Sequence, residues 1–220
     1  MTMKDIASYI DHTVLKPTTT YAEIKKLSEE ALQYQFAAVC IPPPLVKQAG
    51  DIVKGSPVKV ATVIGFPFGY SVAKAKFAEA DQALQDGADE LDVVINLVAL
   101  KGGVWNYLEK EMLPLLKLAH SQGKIIKVIV ESGVLNEEEI IRCCSLYGSM
   151  GADFLKTSTG YAEKGASVDA VRLMREHLSP SIKIKASGGI RNYEFARQLL
   201  EAGAERLGCT ASVEIVKGAV

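Results

Sequence analysis

Several ionisable side chains interrupt or close runs of residues that otherwise read as buried strands. Asp92 falls inside the run 90–95, Lys127 inside 125–130 with Glu131 directly after it, Lys156 at the end of 153–156, and Lys185 inside 182–186. Lysine is almost never fully buried unless it is paired. One charge at a strand end is readily explained as an outward-facing or snorkelling group. Three such groups on neighbouring strands are harder to explain that way. If the strands ending at Lys156 and containing Lys185 are neighbours, their backbones lie about 4.8 Å apart, and both amines enter one pocket. Two ammonium groups repel and burial disfavours charge, so at least one of the two pKa values falls. The result is a neutral amine at neutral pH, which is what addition to a carbonyl requires. Asp92 then supplies the countercharge and a route for protons as a carbinolamine forms and dehydrates. Paired lysines with a carboxylate point to imine chemistry at Lys156.

A second theme is anion binding. Lys156 is followed by Thr157-Ser158-Thr159-Gly160, Lys185 by Ser187-Gly188-Gly189-Ile190-Arg191, and the last strand runs into Gly208-Cys209-Thr210-Ala211-Ser212. Glycine lets backbone N–H groups approach a phosphate, and a following helix N-terminus adds a favourable dipole. Tight turns also need glycine for geometry. Two such loops after the seventh and eighth strands, where barrels commonly hold phosphate, favour a phosphorylated substrate. The histidines, His12, His120 and His177, are scattered without metal-ligand spacing, so no metal is expected, and His12 reads as a satisfied polar residue. No dinucleotide fingerprint, P-loop or nucleophile elbow appears, and no cofactor is implied. Cys40, at the end of the second strand, is placed to face the pocket.

These residues need a scaffold that delivers strand ends to one place. Strands are expected at 37–41, 58–64, 90–95, 125–130, 153–156, 182–186 and 205–208, with a weaker first one at 9–11. Helical periodicity fills 21–35, 71–86, 105–121, 137–149, 167–177 and 193–202. Alternation of this kind gives parallel strands with crossover helices. Gly87-Ala88-Asp89, Gly151-Ala152-Asp153 and Gly203-Ala204-Glu205 repeat one helix-to-strand joint, in which glycine adopts the left-handed helix end. A doubly wound sheet would use the same joints. The count of eight strands leans towards a (β/α)₈ barrel, one domain over residues 1–220.

Bulk properties narrow the function. At 220 residues, 48% hydrophobic and 23% charged, the chain supports one large core. The net charge of −1 without a basic stripe argues against nucleic acid as a partner. No apolar stretch approaches the ~20 residues that span a bilayer, and residues 1–8 lack a signal-peptide pattern. Four cysteines without CxxC spacing read as reduced thiols. A cytoplasmic protein is the expectation.

Taken in order, these segments resemble the deoxyribose-phosphate aldolase family of class I aldolases. The match runs through Asp11-His12-Thr13-Val14-Leu15-Lys16-Pro17, Ala38-Val39-Cys40-Ile41-Pro42, Gly65-Phe66-Pro67-Phe68-Gly69, Glu90-Leu91-Asp92-Val93-Val94-Ile95-Asn96, Lys127-Val128-Ile129-Val130-Glu131, Phe154-Leu155-Lys156-Thr157-Ser158-Thr159-Gly160 and Ile184-Lys185-Ala186-Ser187-Gly188-Gly189-Ile190-Arg191. The resemblance implies a (β/α)₈ barrel that reversibly cleaves 2-deoxy-D-ribose 5-phosphate to acetaldehyde and D-glyceraldehyde 3-phosphate, without metal or organic cofactor. It implies Lys156 as the Schiff-base lysine, Lys185 as the second lysine that lowers its pKa, and Asp92 as the acidic proton-transfer residue. Asp11 and Thr13 fall where the family holds the sugar hydroxyl. Gly160, Gly188, Gly189, Gly208 and Thr210 fall where it holds phosphate, and Thr159 and Cys40 complete the expected substrate contacts. A homodimer or homotetramer is implied as well. Two departures fall in the phosphate grip: Thr210 and Ala211 stand where many members have two serines, and Tyr161 where some have lysine. The rival readings are a Schiff-base barrel aldolase for another sugar phosphate and a non-catalytic sugar-phosphate binder. The roles of Lys127 and Glu131, in the site or bracing it, stay open on sequence.

Overall fold

The computed structural model describes residues 3–219; Met1, Thr2 and Val220, the ends of the expected domain, lie outside the described residues. Eight parallel strands close into a barrel: β1 Ile10–Thr13, β2 Ala38–Ile41, β3 Lys59–Ile64, β4 Glu90–Val94, β5 Ile125–Ile129, β6 Phe154–Lys156, β7 Lys183–Ser187 and β8 Arg206–Cys209. Closure is the β1–β8 pairing, with Asp11 opposite Gly208. Around it lie α1 Met3–Ala7, α2 Tyr21–Tyr34, α3 Val46–Val53, α4 Ala73–Gln85, α5 Leu97–Lys101, α6 Trp105–Ser121, α7 Glu137–Ser149, α8 Val168–His177, α9 Tyr193–Glu201 and α10 Ser212–Lys217. The expected alternation holds. The largest displacement is the first strand, read at 9–11 and found at 10–13, where the polar His12 and Thr13 had obscured a four-residue strand.

Local chemistry sets the helix boundaries. Thr20 with Glu23 and Asn136 with Glu139 form capping boxes at the starts of α2 and α7. Asn96, Ser167 and Asn192 accept from backbone amides at the starts of α5, α8 and α9. The three Gly-Ala-Asp/Glu joints turn through glycine at positive φ, 103° at Gly87, 78° at Gly151 and 112° at Gly203.

Successive strand residues face opposite sides, and the two sides differ in kind. One set, including Leu91, Val93, Ile126, Val128, Leu155 and Ile184, belongs to the large core under the helices. The alternate set faces the barrel axis. There β2 and β3 contribute the small apolar cluster Ala38, Cys40, Ala61 and Val63, with Leu15 and Phe66 against it. Strands β1, β4, β5, β6, β7 and β8 contribute charged groups instead.

Among the ion pairs of the described residues outside the barrel interior, one is fully buried. Lys76 of α4, fully buried, donates to the Val94 carbonyl at 2.8 Å and stands 2.9 Å from the Glu111 carboxylate of α6. It ties two helices to the end of β4, the strand that carries Asp92. Burial pushes the Lys76 amine down and the Glu111 carboxyl up, and each partner opposes the other's shift. Lys76→Ala should therefore leave an uncompensated buried carboxylate and cost about 3–5 kcal/mol of stability, read from urea unfolding.

Candidate active site

Strand register places the ionisable groups. Asp92 is opposite Lys127 across β4 and β5, Lys156 opposite Lys185 across β6 and β7, and Lys185 opposite Arg206 across β7 and β8. The Asp92 carboxylate is the hub. Its Oδ1 accepts from Lys127 Nζ at 2.8 Å, and its Oδ2 accepts from both Lys156 Nζ and Lys185 Nζ at 2.7 Å. Lys185 also donates to Asp11 Oδ2, Lys127 pairs with Glu90, and Arg206 bridges Asp11 Oδ1 at 2.6 Å and Glu90 Oε2 at 3.0 Å. Contacts between β4 and β8, or β4 and β7, are possible only across the barrel interior. The expected trio therefore becomes seven groups.

Their charges set the lysines apart. Asp11, Glu90 and Asp92 are three carboxylates; Lys127, Lys185 and Arg206 are three cations; Lys156 is the extra base. Burial pushes the Lys156 pKa down first of all, Asp92 pulls it back up, and Lys185 pushes it down again. Lys185 feels the same burial, but Asp11 and Asp92 together outweigh it and hold its pKa above the usual lysine range. Lys127 is likewise raised, with burial overcome by Asp92 and Glu90. Burial alone would raise Asp92, yet Lys127, Lys156 and Lys185 hold it well below the usual carboxylate range. Repulsion by Lys185 is thus real but secondary: dehydration of Lys156 is the larger cause of its lowered pKa.

Lys156 alone among these seven opens onto the main cavity, a space of about 690 Å³ at the C-terminal end of the strands. Thr13, Thr159, Gly160, Gly188, Gly189, Gly208 and Thr210 line it, together with Tyr161, Ser187 and Arg191. Asp92, Lys185, Asp11 and Cys40 lie beneath, fully buried. Asp11 and Thr13 therefore part company: Thr13 lines the space, while the Asp11 carboxylate serves Lys185 and Arg206. Cys40 Sγ is 3.9 Å from Asp92 Oδ2, and burial pushes its thiol pKa up, so it packs here as a protonated thiol. Gly208 has a steric reason: a Cβ there would come within 2.9 Å of Ser187 Cβ and 3.1 Å of Lys185 Cε. Gly188, at φ 87°, packs against the backbone of Gly160 and Gly165.

Glu90 and Arg206 escaped the sequence reading. The signal was present, since each stands two residues before a recognised inward position, Asp92 and Gly208 respectively. Tyr161 separates the main cavity from a second, apolar one of about 540 Å³ lined by Pro42, Pro43, Val63, Phe66 and Phe68. Its hydroxyl donates to the Leu15 carbonyl at 2.8 Å, and its ring meets Phe66 edge-on at 5.4 Å. His12 is satisfied by Ser212 and Glu30, each at 2.9 Å. Among the described residues, no group of three or more His, Cys, Asp or Glu is placed to hold a metal ion.

Charge balance gives a stability test. Lys127→Met and Lys185→Met each strand a buried carboxylate and should cost about 3–5 kcal/mol, whereas Lys156→Met removes the surplus base and should cost far less. Urea unfolding of the three variants at pH 7 decides; a Lys156→Met loss equal to the others would refute the balance.

The sequence model of the DeoC/LacD family aldolases matches residues 6–215. The chain is 51% identical over 217 residues to the deoxyribose-phosphate aldolase of Thermococcus gammatolerans, covering 98% of this chain and 96% of the relative. It is 49% identical to that of Caldicellulosiruptor saccharolyticus, covering 98% and 99%. Among solved structures, the aldolase QR15 superposes with a TM-score of 0.92 at 40% identity, covering 97% of this chain and 95% of that one. The deoxyribose phosphate aldolase of Aeropyrum pernix, described as a unique tetramer, superposes at 0.91 with 32% identity, covering 98% and 91%. Orotidine 5'-phosphate decarboxylase from Pyrococcus horikoshii, at 14% identity and a TM-score of 0.64, shares the barrel alone. With this closed barrel and a family match over nearly its whole length, the chain belongs to the DeoC/LacD family aldolases.

Proposed function

We propose that the protein is a class I aldolase that reversibly cleaves 2-deoxy-D-ribose 5-phosphate to acetaldehyde and D-glyceraldehyde 3-phosphate through a Schiff base on Lys156. One observation carries the reading: the surplus base of a balanced buried network is the member that faces the cavity. The similarity to deoxyribose-phosphate aldolases supports the substrate.

Neutral Lys156 Nζ adds to the aldehyde carbon of the open-chain sugar. Loss of the carbinolamine hydroxyl as water leaves an iminium, which draws electrons from the neighbouring carbon–carbon bond. The C3 hydroxyl gives up its proton, the C2–C3 bond breaks, and glyceraldehyde 3-phosphate departs. The C2 carbon of the remaining enamine takes a proton, and water hydrolyses the iminium to acetaldehyde and free Lys156. Asp92 Oδ2, in contact with Lys156 and Lys185 at once, is the shortest proton path between them. Its depressed pKa suits a relay that returns the proton rather than storing it.

The phosphate is assigned to the glycine-lined wall of the cavity, against Gly188, Gly189, Gly208 and Thr210, with Gly160 and Thr159 beside them and Thr13 towards the sugar. No metal or organic cofactor has a part in these steps. Four free, buried cysteines suit a reducing cytoplasm, where the enzyme acts in deoxyribonucleoside breakdown. Exposed Tyr21, Phe68, Tyr70 and Val72 supply apolar surface for a homodimer or homotetramer.

Borohydride reduction with acetaldehyde should leave an N-ethyl group on Lys156 by peptide mass mapping; an adduct elsewhere overturns the assignment. Lys185→Leu removes a repelling cation and leaves Asp92 to retain the Lys156 proton. The Lys156 pKa then rises, so the acid limb of the kcat/KM profile should move to higher pH.

A further inference from the structure

Glu131 is a buried carboxylate that feels the charge of Lys156 but makes its hydrogen bonds outside the seven-group network. It follows β5 and has φ 57° and ψ 57°, a left-handed conformation that glutamate rarely adopts and that only Gln35 shares among the described non-glycine residues. Its side chain explains why glycine or asparagine does not stand there. Oε1 and Oε2 accept from the Thr159 amide at 3.3 and 3.2 Å, and Oε2 also accepts from the Thr159 hydroxyl. Thr159 Oγ1 in turn accepts from the Tyr161 amide at 3.1 Å. The chain from Glu131 thus ends on Thr159, Gly160 and Tyr161, which line the main cavity.

The surrounding loop is fixed from other sides too. The Ser132 amide donates to the Thr157 carbonyl at 2.7 Å. A Cβ on Gly133 would fall 2.3 Å from the Lys164 carbonyl, and one on Gly165 2.3 Å from the Gly188 carbonyl. The loop between β6 and α8 is therefore packed at both limbs, and Glu131 is the side chain that pins its cavity-facing turn.

We propose that Glu131 is a positioning residue for the remote, phosphorylated end of the substrate, acting through Thr159 and without touching the reacting carbon. Because the Thr159 hydroxyl proton goes to Glu131 and its oxygen already receives the Tyr161 amide, that hydroxyl is first of all part of the scaffold. The turn it holds carries Gly160 towards Gly188 and sets the width of the grip. The proposal rests on the Lys156 reading only for which end of the cavity receives the aldehyde.

The test compares Glu131→Gln, Glu131→Asn and wild type. Asparagine suits the left-handed backbone better than glutamate but falls short of Thr159; glutamine keeps the reach. Glu131→Asn should raise KM for 2-deoxyribose 5-phosphate about tenfold or more, as loss of a hydrogen bond to a charged group does. Its kcat should stay within about threefold, the pattern of lost uniform binding. Glu131→Gln should restore KM to within about threefold of wild type. Acetaldehyde has no remote end, and loss of the Glu131 charge favours the neutral Lys156 amine, so borohydride trapping on Lys156 should be no slower than wild type in both variants. An unchanged KM in Glu131→Asn, or trapping that slows as KM rises, overturns the proposal. Absence of trapping in the wild type overturns the Lys156 reading instead.

Discussion

The barrel interior must keep three carboxylates out of water, and almost every feature of the site follows from how it does so. An isolated buried carboxylate carries a desolvation cost of several kcal/mol, and the opposing attraction is effective only at good geometry. Asp11, Glu90 and Asp92 meet that condition through Lys127, Lys185 and Arg206, every one at contact distance. Closure of the sheet is what makes the contacts possible. In an open sheet β1 and β8 would be edges, and Arg206 would have no path to both Asp11 and Glu90. The barrel is therefore a means of bringing strands that are distant in sequence around one set of charges.

Once those charges are matched, steric constraints follow. Lysine stems need room along the axis, which is why Gly208 sits beside Lys185 Cε and why β2 and β3 carry residues as small as Ala38, Cys40 and Ala61. The apolar half also keeps water from the far side of Asp92. Cys40 lends it a weak thiol contact and no titrating charge of its own.

Much of this was legible in the chain because the period of two is strict in strands. Lys156, Lys185 and Asp92 stood out as charges in apolar runs, and Gly188, Gly189 and Gly208 as glycines at the ends of the last two strands. Glu90 and Arg206 obeyed the same period but lay at strand starts, where charge is ordinary, so only cross-barrel contacts distinguish them. The first strand was misplaced for a related reason: in a barrel that buries polar groups, Asp11, His12 and Thr13 look like a loop. Glu131 was visible as a residue and opaque in purpose, because its partner Thr159 is 28 positions away and its backbone conformation leaves no mark in composition. Lys76 and Glu111, on separate helices, gave no sign of meeting.

Lys156 and Lys185 are close to a controlled comparison within one molecule. They are opposite each other in register, both buried, and both donate to the same oxygen of Asp92 at the same distance. Their pKa values nevertheless move in opposite directions. Burial is common to both, so it does not select between them. The difference is Asp11, which reaches Lys185 on β7 and is not among the partners of Lys156 one strand further on. A second carboxylate at contact distance keeps one lysine charged; the other pairs at that distance with Asp92 alone, and burial pushes its pKa down. Which of the two lysines is held charged is thus set by the position of a carboxylate on β1, through the closure of the barrel, and not by anything intrinsic to the strand that carries Lys156.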